Sequence, residues 1–214
     1  MRADKTTILI FIIILFHAVG LAGFAIDTLQ QFFLQIVPFH LLLMLAVVFL
    51  SHQDIDPKFV LFIIVVPLLA FAVEWVGVHE HVIFGDYIYG QTLGYKWNGV
   101  PLIIAVNWFL LVYSTGTLMQ NVHLPGVIAR VITGAFIMMV LDVFIEPSAT
   151  RYDYWHWQTP GEYLTAPISN YLSWFAVSAV TLGIFEAFRF KKQNAVGAVL
   201  LLAQFVFFIL LYWI

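Results

Sequence analysis

Cysteine is absent from the sequence, and charged residues are scarce. Without cysteine among its 214 residues, the chain has no disulfide, no thiolate nucleophile and no cysteine-ligated metal. Charged residues make up 10% of the chain, against about 25% in an ordinary soluble domain. The net charge is −3, and no basic cluster is large enough to bind nucleic acid. These shortages exclude a soluble enzyme and a nucleic-acid-binding protein.

Apolar segments occupy most of the chain instead. Crossing the hydrocarbon layer takes about 20 mostly apolar residues, and seven segments reach that length. They are Thr6–Ala25, Phe32–Ser51, Pro57–Val78, Val100–Met119, Val127–Glu146, Ile168–Arg189 and Ala195–Ile214. The first is too long for a signal peptide and has no small-residue cleavage site, so we expect it to stay as a span. The sequence therefore predicts an all-α, polytopic transmembrane helical bundle of about seven spans, a single domain over residues 1–214.

Lysine and arginine are distributed unevenly between the two ends of these spans. With the N-terminus in the cytoplasm, only Lys96 and Arg151 lie on the opposite side. The seven cations on the cytoplasmic side are Arg2, Lys5, Lys58, Arg130, Arg189, Lys191 and Lys192. Because cytoplasmic loops carry an excess of cations, this bias predicts a cytoplasmic N-terminus and a C-terminus outside. We expect the protein in a bacterial or archaeal cell membrane.

Acidic residues recur in the middle of the chain in the same order. Glu74 is followed after 12 residues by Asp86, and Asp142 is followed after 11 residues by Asp153. Further along, each copy has a proline that opens a span and a Trp-Phe pair seven residues later. These are Pro101 with Trp108-Phe109 and Pro167 with Trp174-Phe175. Shared membrane composition explains the prolines and some tryptophans, but it does not explain the acids.

The matching order predicts a duplicated two-helix unit, with repeats at about residues 58–119 and 127–189. Because two spans return the chain to the side of the membrane where it began, both copies have the same orientation. We therefore expect parallel repeats, related by a pseudo-twofold axis along the membrane normal. Each copy contains a 21-residue loop without obvious helix or strand periodicity, His79–Gly99 and Pro147–Pro167. Loops of this length are usually functional.

Carboxylates inside the predicted spans are the strongest sign of function. An aspartate in mid-span costs about 2.5–3.5 kcal/mol on insertion scales, so such acids are functional candidates by default. Glu74 and Asp142 each lie four residues inside the outer end of a span, and Glu146 lies one turn beyond Asp142 on the same helix face. Asp86 and Asp153 enter from the two loops on that side. We expect all five to converge on one catalytic site; the alternative is that they bind loop amides and hold the loops in place.

Aromatic and amide side chains accompany these acids. Interface anchoring accounts for most of the loop aromatics, but rings near an acid also stabilise a cation and exclude water from a carboxyl. The two asparagines have an alternative role in hydrogen bonds between helices. The predicted substrate-binding residues are Tyr87, Asn107, Trp108, Tyr154, Trp155, Trp157, Asn170 and Trp174.

Histidine is too sparse for a di-iron or haem enzyme. His79 and His81 flank Glu80 and form neither an HExxH motif nor a histidine box. The isolated His17 and His40 are more typical of hydrogen bonds between helices than of haem ligands. The sequence also has no DDxxD-like run for magnesium and diphosphate, and no glycine-rich nucleotide motif. We therefore expect no metal and no cofactor, which leaves acid–base chemistry on a hydrophobic substrate.

Several motifs between Glu74 and Phe175 resemble those of a known family. In the first copy they are Glu74-Trp75-Val76-Gly77, Phe84-Gly85-Asp86-Tyr87-Ile88-Tyr89 and Gly99-Val100-Pro101. In the second copy they are Asp142-Val143-Phe144-Ile145-Glu146-Pro147, Trp155-His156-Trp157 and Ala166-Pro167-Ile168-Ser169-Asn170-Tyr171-Leu172-Ser173-Trp174-Phe175. As a set, these motifs resemble the integral-membrane carotenoid hydratases of the CruF type.

The resemblance implies a carotenoid 1,2-hydratase, a hydro-lyase that adds water to the terminal double bond of an acyclic (psi) carotenoid end group. It implies an acyclic or half-cyclic carotenoid, water and membrane lipid as partners. The residues are compatible with this reaction: an acid protonates the alkene, rings stabilise the tertiary cation, and a carboxylate deprotonates water. We predict Glu74 or Asp142 as the acid, and Asp86 or Asp153 as the group that positions water.

Two alternatives to a hydratase stay open at this point. A membrane lycopene-type cyclase shares the protonation step but quenches the cation with an internal alkene. A non-enzymatic carotenoid or lipid carrier would use the acids only for its structure.

Overall fold

Seven α-helices make up the part of the chain that the computed structural model describes, residues 4–214. Arg2, one of the cations assigned to the cytoplasmic side, lies outside the described residues. The helices are α1 (Lys5–Ala25), α2 (Asp27–Ser51), α3 (Pro57–Glu80), α4 (Ile103–Asn121), α5 (Gly126–Arg151), α6 (Ile168–Phe188) and α7 (Val196–Leu211). The protein is 72% helical. The prediction of an all-α helical membrane bundle is confirmed.

Six of these helices are long and apolar enough to cross a membrane, and α7 is shorter. The sequence predicted a seventh span of full length, Ala195–Ile214, but α7 has 16 residues. At 1.5 Å per residue it is about 24 Å long, less than a typical hydrocarbon core of about 30 Å. Its start is fixed where the side chain of Asn194 accepts a hydrogen bond from the Val196 amide at 3.0 Å.

Helix α5 continues beyond the point where the sequence predicted its end. Pro147 was expected to open a loop, yet it lies inside α5, which ends only at Arg151. A proline removes one backbone donor, but membrane helices tolerate this where neighbouring helices pack around the freed carbonyl. Here Ala149 is buried, and the amide of Tyr152 still bonds the carbonyl of Ser148 at 2.9 Å. Glu146 is therefore more than one turn inside the helix rather than at its end.

Helix α4 lies at the centre of the bundle. Within its most apolar window 72% of the residues are buried, against at most 33% for the other five long helices. It contacts a first group of helices, α3, α5 and α6, and a second group, α2 and α7. Helix α1 completes the second group through its contacts with α2 and α7. The α3–α6 group coincides with the two predicted repeats.

Two small antiparallel sheets form in the connections at one end of the bundle. They consist of β1 (Tyr87–Tyr89) with β4 (Trp155–Trp157), and of β2 (Lys96–Trp97) with β3 (Val100–Pro101). The sequence predicted no strands here, because three residues are too few to show a period of two. In β1 the side chains at positions 87 and 89 are buried and Ile88 is exposed, as expected when alternate side chains face opposite sides of a strand.

The β1–β4 pair joins the two predicted repeats to each other. Tyr87 lies opposite Trp157 and Tyr89 lies opposite Trp155. Below the strands, the Trp108 and Trp174 rings stack with centroids 4.4 Å apart. A twofold axis between two copies brings their equivalent parts into contact. The superposition of the two units stays a prediction.

Candidate active site

Three carboxyl groups are buried together where α3, α5 and α6 approach the strands. Glu74 on α3 is 4% exposed, and Asp142 and Glu146 on α5 are 0% and 1% exposed. Glu74 and Glu146 line the same small cavity, and Asn170 of α6 bonds both acids of α5. Within residues 4–214, no lysine, arginine or histidine forms an ion pair with any of the three.

Strand β1 and helix α4 supply the hydrogen-bond donors of Glu74. The hydroxyls of Tyr87 and Tyr89 donate to Glu74 Oε2 at 2.6 and 2.7 Å, and the Trp108 indole donates to Oε1 at 2.7 Å. Both tyrosines reach the same oxygen because they are alternate residues on one face of the strand. Burial, followed by the nearby Glu74 carboxyl, raises the pKa of Tyr87 and Tyr89 well above the usual value. Both hydroxyls therefore keep their protons and act as donors.

Strand β4 holds Glu146 in the same manner. The indole nitrogens of Trp155 and Trp157, again alternate residues of one strand, donate to Glu146 Oε2 at 3.2 and 2.7 Å. The antiparallel register of β1 and β4 places this indole pair beside the tyrosine pair. Tyr87 and Trp157 are in ring contact, with centroids 5.3 Å apart. Two acids from two helices are thus bound side by side by one strand pair.

Asn170 links Glu146 to the third acid. Its side-chain amide donates to Asp142 Oδ2 at 2.6 Å and to Glu146 Oε1 at 3.2 Å. Asn170 occupies the first turn of α6, which Pro167 precedes. The other oxygen of Asp142, Oδ1, is buried with no hydrogen-bond partner among the described residues. Asp142 and Glu146 therefore form a carboxyl pair that shares one donor.

Two cavities share part of their walls near this group of acids. The small one has a volume of about 20 Å³, which is room for about one water molecule. The large one, about 480 Å³, lies mainly between α1, α2, α4 and α7 and is lined mainly by apolar side chains. Ile104 and Trp155 belong to the walls of both cavities. The large cavity therefore ends at side chains that also border the space in front of Glu74 and Glu146.

Comparison with known proteins identifies the family. The family model described as carotenoid biosynthesis protein matches residues 33–214. The chain belongs to the carotenoid biosynthesis protein family. No curated protein and no solved structure matches the chain. The match begins within α2 and includes every residue of the acid group, so the buried acids lie in the part of the chain that the family model covers.

Asp86 and Asp153 do not join the three buried acids. Their side chains are 41% and 48% exposed. The expectation that all five carboxylates converge is therefore wrong for these two. Asp86 directly precedes Tyr87, so strand alternation turns it to the side opposite the tyrosines, where it lies 3.0 Å from His81.

Asp153 connects the two loops at the surface. Its Oδ2 accepts from the backbone amide of Gln91 at 2.8 Å, and its Oδ1 lies 2.6 Å from His156 Nε2. The Gln91 amide and His156 lower the pKa of Asp153. Its backbone has a φ of 58°, a left-handed conformation that aspartate tolerates better than most residues. Asp153 is therefore placed to hold the loops together, which is the alternative role that the sequence left open.

The predicted substrate-binding residues are divided between the two cavities. Five of them line the small cavity, namely Tyr87, Trp155, Trp157, Asn170 and Trp174. Asn107 and Tyr154 line the large cavity, and Trp108 contacts Glu74 directly. Tyr89 and Phe84 also line the small cavity and were not predicted. The alternation of Tyr87 with Tyr89 was the available signal for the first of these.

No metal site accompanies the acids in the described part of the chain. Among residues 4–214, no group of three or more His, Cys, Asp or Glu side chains is placed to hold a metal ion. What the acids do have is hydrogen-bond donors, aromatic rings and a space the size of one water.

Proposed function

We propose that the protein is a carotenoid hydratase, which adds water to the terminal double bond of an acyclic carotenoid end group. The observation that carries this proposal is the position of the acids. Glu74 and Glu146 face a space for about one water, and that space shares two wall residues with a large apolar cavity. An alkene at the end of the large cavity, a water molecule in the small one and the two carboxyl groups can therefore come together at the wall that the cavities share.

Glu74 suits the role of general base toward water. A carboxylate oxygen has two lone pairs, and the tyrosine hydroxyls occupy both on Oε2. Oε1 accepts one bond, from Trp108, so it has one lone pair left for a hydrogen of the water. The three donors fix the carboxylate in one orientation, as general base catalysis requires.

The Asp142–Glu146 pair suits the role of general acid. Two carboxyl groups one helical turn apart, without a cation, avoid mutual repulsion when they share a proton. Asp142 is enclosed by protein, whereas Glu146 lines the cavity. In this arrangement Glu146 delivers the proton and Asp142 supplies it to Glu146, with Asn170 holding the two together.

The reaction then balances with water as the only second reactant. The proton from Glu146 goes to the less substituted carbon of the alkene, and the π electrons form the new C–H bond. The tertiary cation that results lies beside the rings of Trp155, Trp157 and Trp174, whose faces stabilise positive charge. Water forms the C–O bond and gives its extra proton to Glu74. Return of that proton to the acid pair restores the enzyme.

Substrate reaches this site from the membrane. Three phenylalanines of the large cavity's wall, Phe16, Phe32 and Phe39, are also exposed on the outside of the bundle. The cavity therefore extends to the lipid-facing surface. A polyene can insert one end toward Trp155 while the rest of its chain stays in the bilayer.

The test is conversion of lycopene by the purified full chain in lipid nanodiscs made up in ¹⁸O-labelled water. A product heavier by one water, with the label in a tertiary hydroxyl, is the expected result. A product of unchanged mass with a shortened chromophore would indicate a cyclase. Bound but unconverted lycopene would indicate a carrier. Oxygen taken from O₂ would indicate a hydroxylase, and each of the last three results contradicts the proposal.

A further inference from the structure

Polar side chains also line the large cavity, away from the acids. Gln204 of α7 is only 7% exposed, and its Oε1 is buried with no hydrogen-bond partner among the described residues. A buried carbonyl oxygen without a partner is destabilising, and an apolar residue of similar size would avoid that cost. The rest of α7, Val196–Leu211, is entirely apolar. Gln204 lines the large cavity, so its amide nitrogen can donate a hydrogen bond to a ligand there.

His17 of α1 offers a complementary group in the same cavity. Its Nδ1 lies 2.8 Å from the carbonyl oxygen of Ile13. A carbonyl only accepts hydrogen bonds, so Nδ1 carries the hydrogen and Nε2 of the neutral ring is an acceptor. The sequence favoured a hydrogen bond between helices for His17 and His40. Instead His17 bonds its own helix, and the two rings meet edge to face with centroids 4.8 Å apart.

His17 and Gln204 lie on facing sides of the contact between α1 and α7. Phe207 packs edge-on against His17, with ring centroids 5.9 Å apart. Gln204 precedes Phe207 by three residues and so lies on the same face of α7. His17, Gln204 and Phe207 all line the large cavity. A ligand atom between these two helices can therefore contact the imidazole and the amide.

We propose that His17 and Gln204 bind a hydroxyl group on the isoprenoid chain in the large cavity. A hydroxyl is one donor and an acceptor, so it can donate to His17 Nε2 and accept from the Gln204 amide. A purely hydrocarbon chain would leave both groups unpaired.

This inference rests on the proposed function only for the identity of the reacting end. If that function holds, the preferred substrate is an acyclic isoprenoid with two features. Its terminal alkene reaches Glu74 and Glu146, and a hydroxyl already present further along the chain reaches His17 and Gln204. The enzyme would then act after another enzyme has introduced the first oxygen into the isoprenoid. The hydroxyl site itself is independent of what the acids do.

Binding of two matched probes tests the site. All-trans-retinol and its methyl ether have the same polyene and the same oxygen, but only the alcohol can donate a hydrogen bond. Both quench tryptophan emission by energy transfer, so each can be titrated into the full chain in nanodiscs. We expect the wild type to bind the alcohol about tenfold more tightly than the ether, the scale of one or two net hydrogen bonds. Equal affinity in the wild type overturns the proposal without any variant.

Variants then assign the preference to residues. His17→Phe should reduce the preference to about threefold or less and leave ether affinity unchanged, because only the bond donated by the alcohol is lost. Gln204→Met should instead weaken alcohol and ether binding alike, because both oxygens accept from the amide. The matched control is Gln35→Met, the same change on the exposed face of α2, which should alter neither affinity. A tenfold preference in His17→Phe, or unchanged affinities in Gln204→Met, would place the hydroxyl elsewhere and refute the assignment.

The outcomes also separate this inference from the proposed function. Glu74→Gln should keep the preference for the alcohol, because it alters only the acid site. If neither lycopene nor a monohydroxylated acyclic carotenoid is hydrated and the preference persists, only the proposed function fails. If hydration occurs and the preference is absent, only the hydroxyl site fails.

Discussion

At the scale of single residues, the two strand-bound acids differ in the chemistry of their donors. Glu74 accepts from two tyrosines of β1, and Glu146 accepts from two tryptophans of β4. A tyrosine hydroxyl both donates and accepts, whereas an indole N–H only donates. Protons can therefore pass through the hydroxyls beside Glu74, but they cannot pass through the indoles. A proton held on the Asp142–Glu146 pair is thus protected from loss on its strand side, which fits the acid role.

Replacing Glu74 and Glu146 by glutamine tests whether they act as general base and general acid. Glu74→Gln and Glu146→Gln should each lower the turnover of hydration at least about 100-fold, the usual contribution of a general acid or base. Asp86→Asn makes the same chemical change on an exposed side chain and should stay within about twofold of the wild type. Product mass from lycopene measures all three, with the membrane level of each variant as control. Full activity in both glutamine variants would place the reaction elsewhere.

The tyrosine donors should contribute less than the acids themselves. Tyr89→Phe removes one of three hydrogen bonds to Glu74 and leaves the ring in place. One hydrogen bond to a carboxylate is worth about 1.5–3 kcal/mol, so turnover should fall between about tenfold and 100-fold. Tyr95→Phe, at a position that is 76% exposed, is the matched control. Equal rates for the two variants would mean that the orientation of Glu74 does not limit the reaction.

At the scale of elements, helices were predictable from the sequence and the short strands were not. Runs of about 20 apolar residues identified all seven helices, six of them long enough to cross a membrane, which is why the helical bundle was predicted correctly. The segments Tyr87–Tyr89 and Trp155–Trp157 carry no comparable pattern, because their identity as strands depends on pairing with each other across the fold. Without that pairing, the sequence could not place Asp86 on the side of the loop opposite Tyr87 and Tyr89.

Part of the site was nevertheless readable from single residues. Glu74, Asp142 and Glu146 stood out because charge inside an apolar segment is costly, and all three are buried in one group. Asn170 and three of the predicted tryptophans line the small cavity beside these acids, and the fourth, Trp108, bonds Glu74. The large cavity was not predictable, since its walls come from five helices and two loops whose packing no local pattern records.

The contact between the two loops depends on the absence of a side chain at Gly90. A Cβ at this position would overlap the backbone oxygen and the carboxyl of Asp153. Gly90→Ala should therefore push β1 away from β4 and destabilise the protein by about 1–3 kcal/mol. Because the strands orient Tyr89 and Trp155, turnover should fall as well. Thermal unfolding in detergent and the lycopene assay measure the two effects.

A second glycine provides the control for this substitution. Gly183 of α6 has nothing within 4 Å of the position of an added Cβ. Gly183→Ala should leave turnover unchanged and stabilise the protein by up to about 1 kcal/mol, since glycine is unfavourable inside a helix. If Gly90→Ala behaves like Gly183→Ala, the close approach of the two loops is not needed for the fold.

At the scale of the whole molecule, polar groups with different partners lie at the two ends of the bundle. At one end, Lys191 pairs with Asp54 at 2.8 Å, close to the start of α7. At the other end, beside the strands, Arg151 donates to the backbone oxygen of Ile214 at 3.1 Å. The acid group lies nearer the strand end. Which end faces the cytoplasm therefore decides from which side water reaches the site.

The distribution of cations predicts that the strand end faces away from the cytoplasm, and the chain is suited to a direct test. Because the protein has no cysteine, a single introduced thiol is the only site for a maleimide. Tyr163 is 84% exposed at the strand end, and Lys192 is exposed at the opposite end without the ion pair that engages Lys191. In intact cells, a membrane-impermeant maleimide should label Tyr163→Cys, and it should label Lys192→Cys only after the membrane is opened. The reverse pattern would invert the topology and bring water to the acids from the cytoplasm.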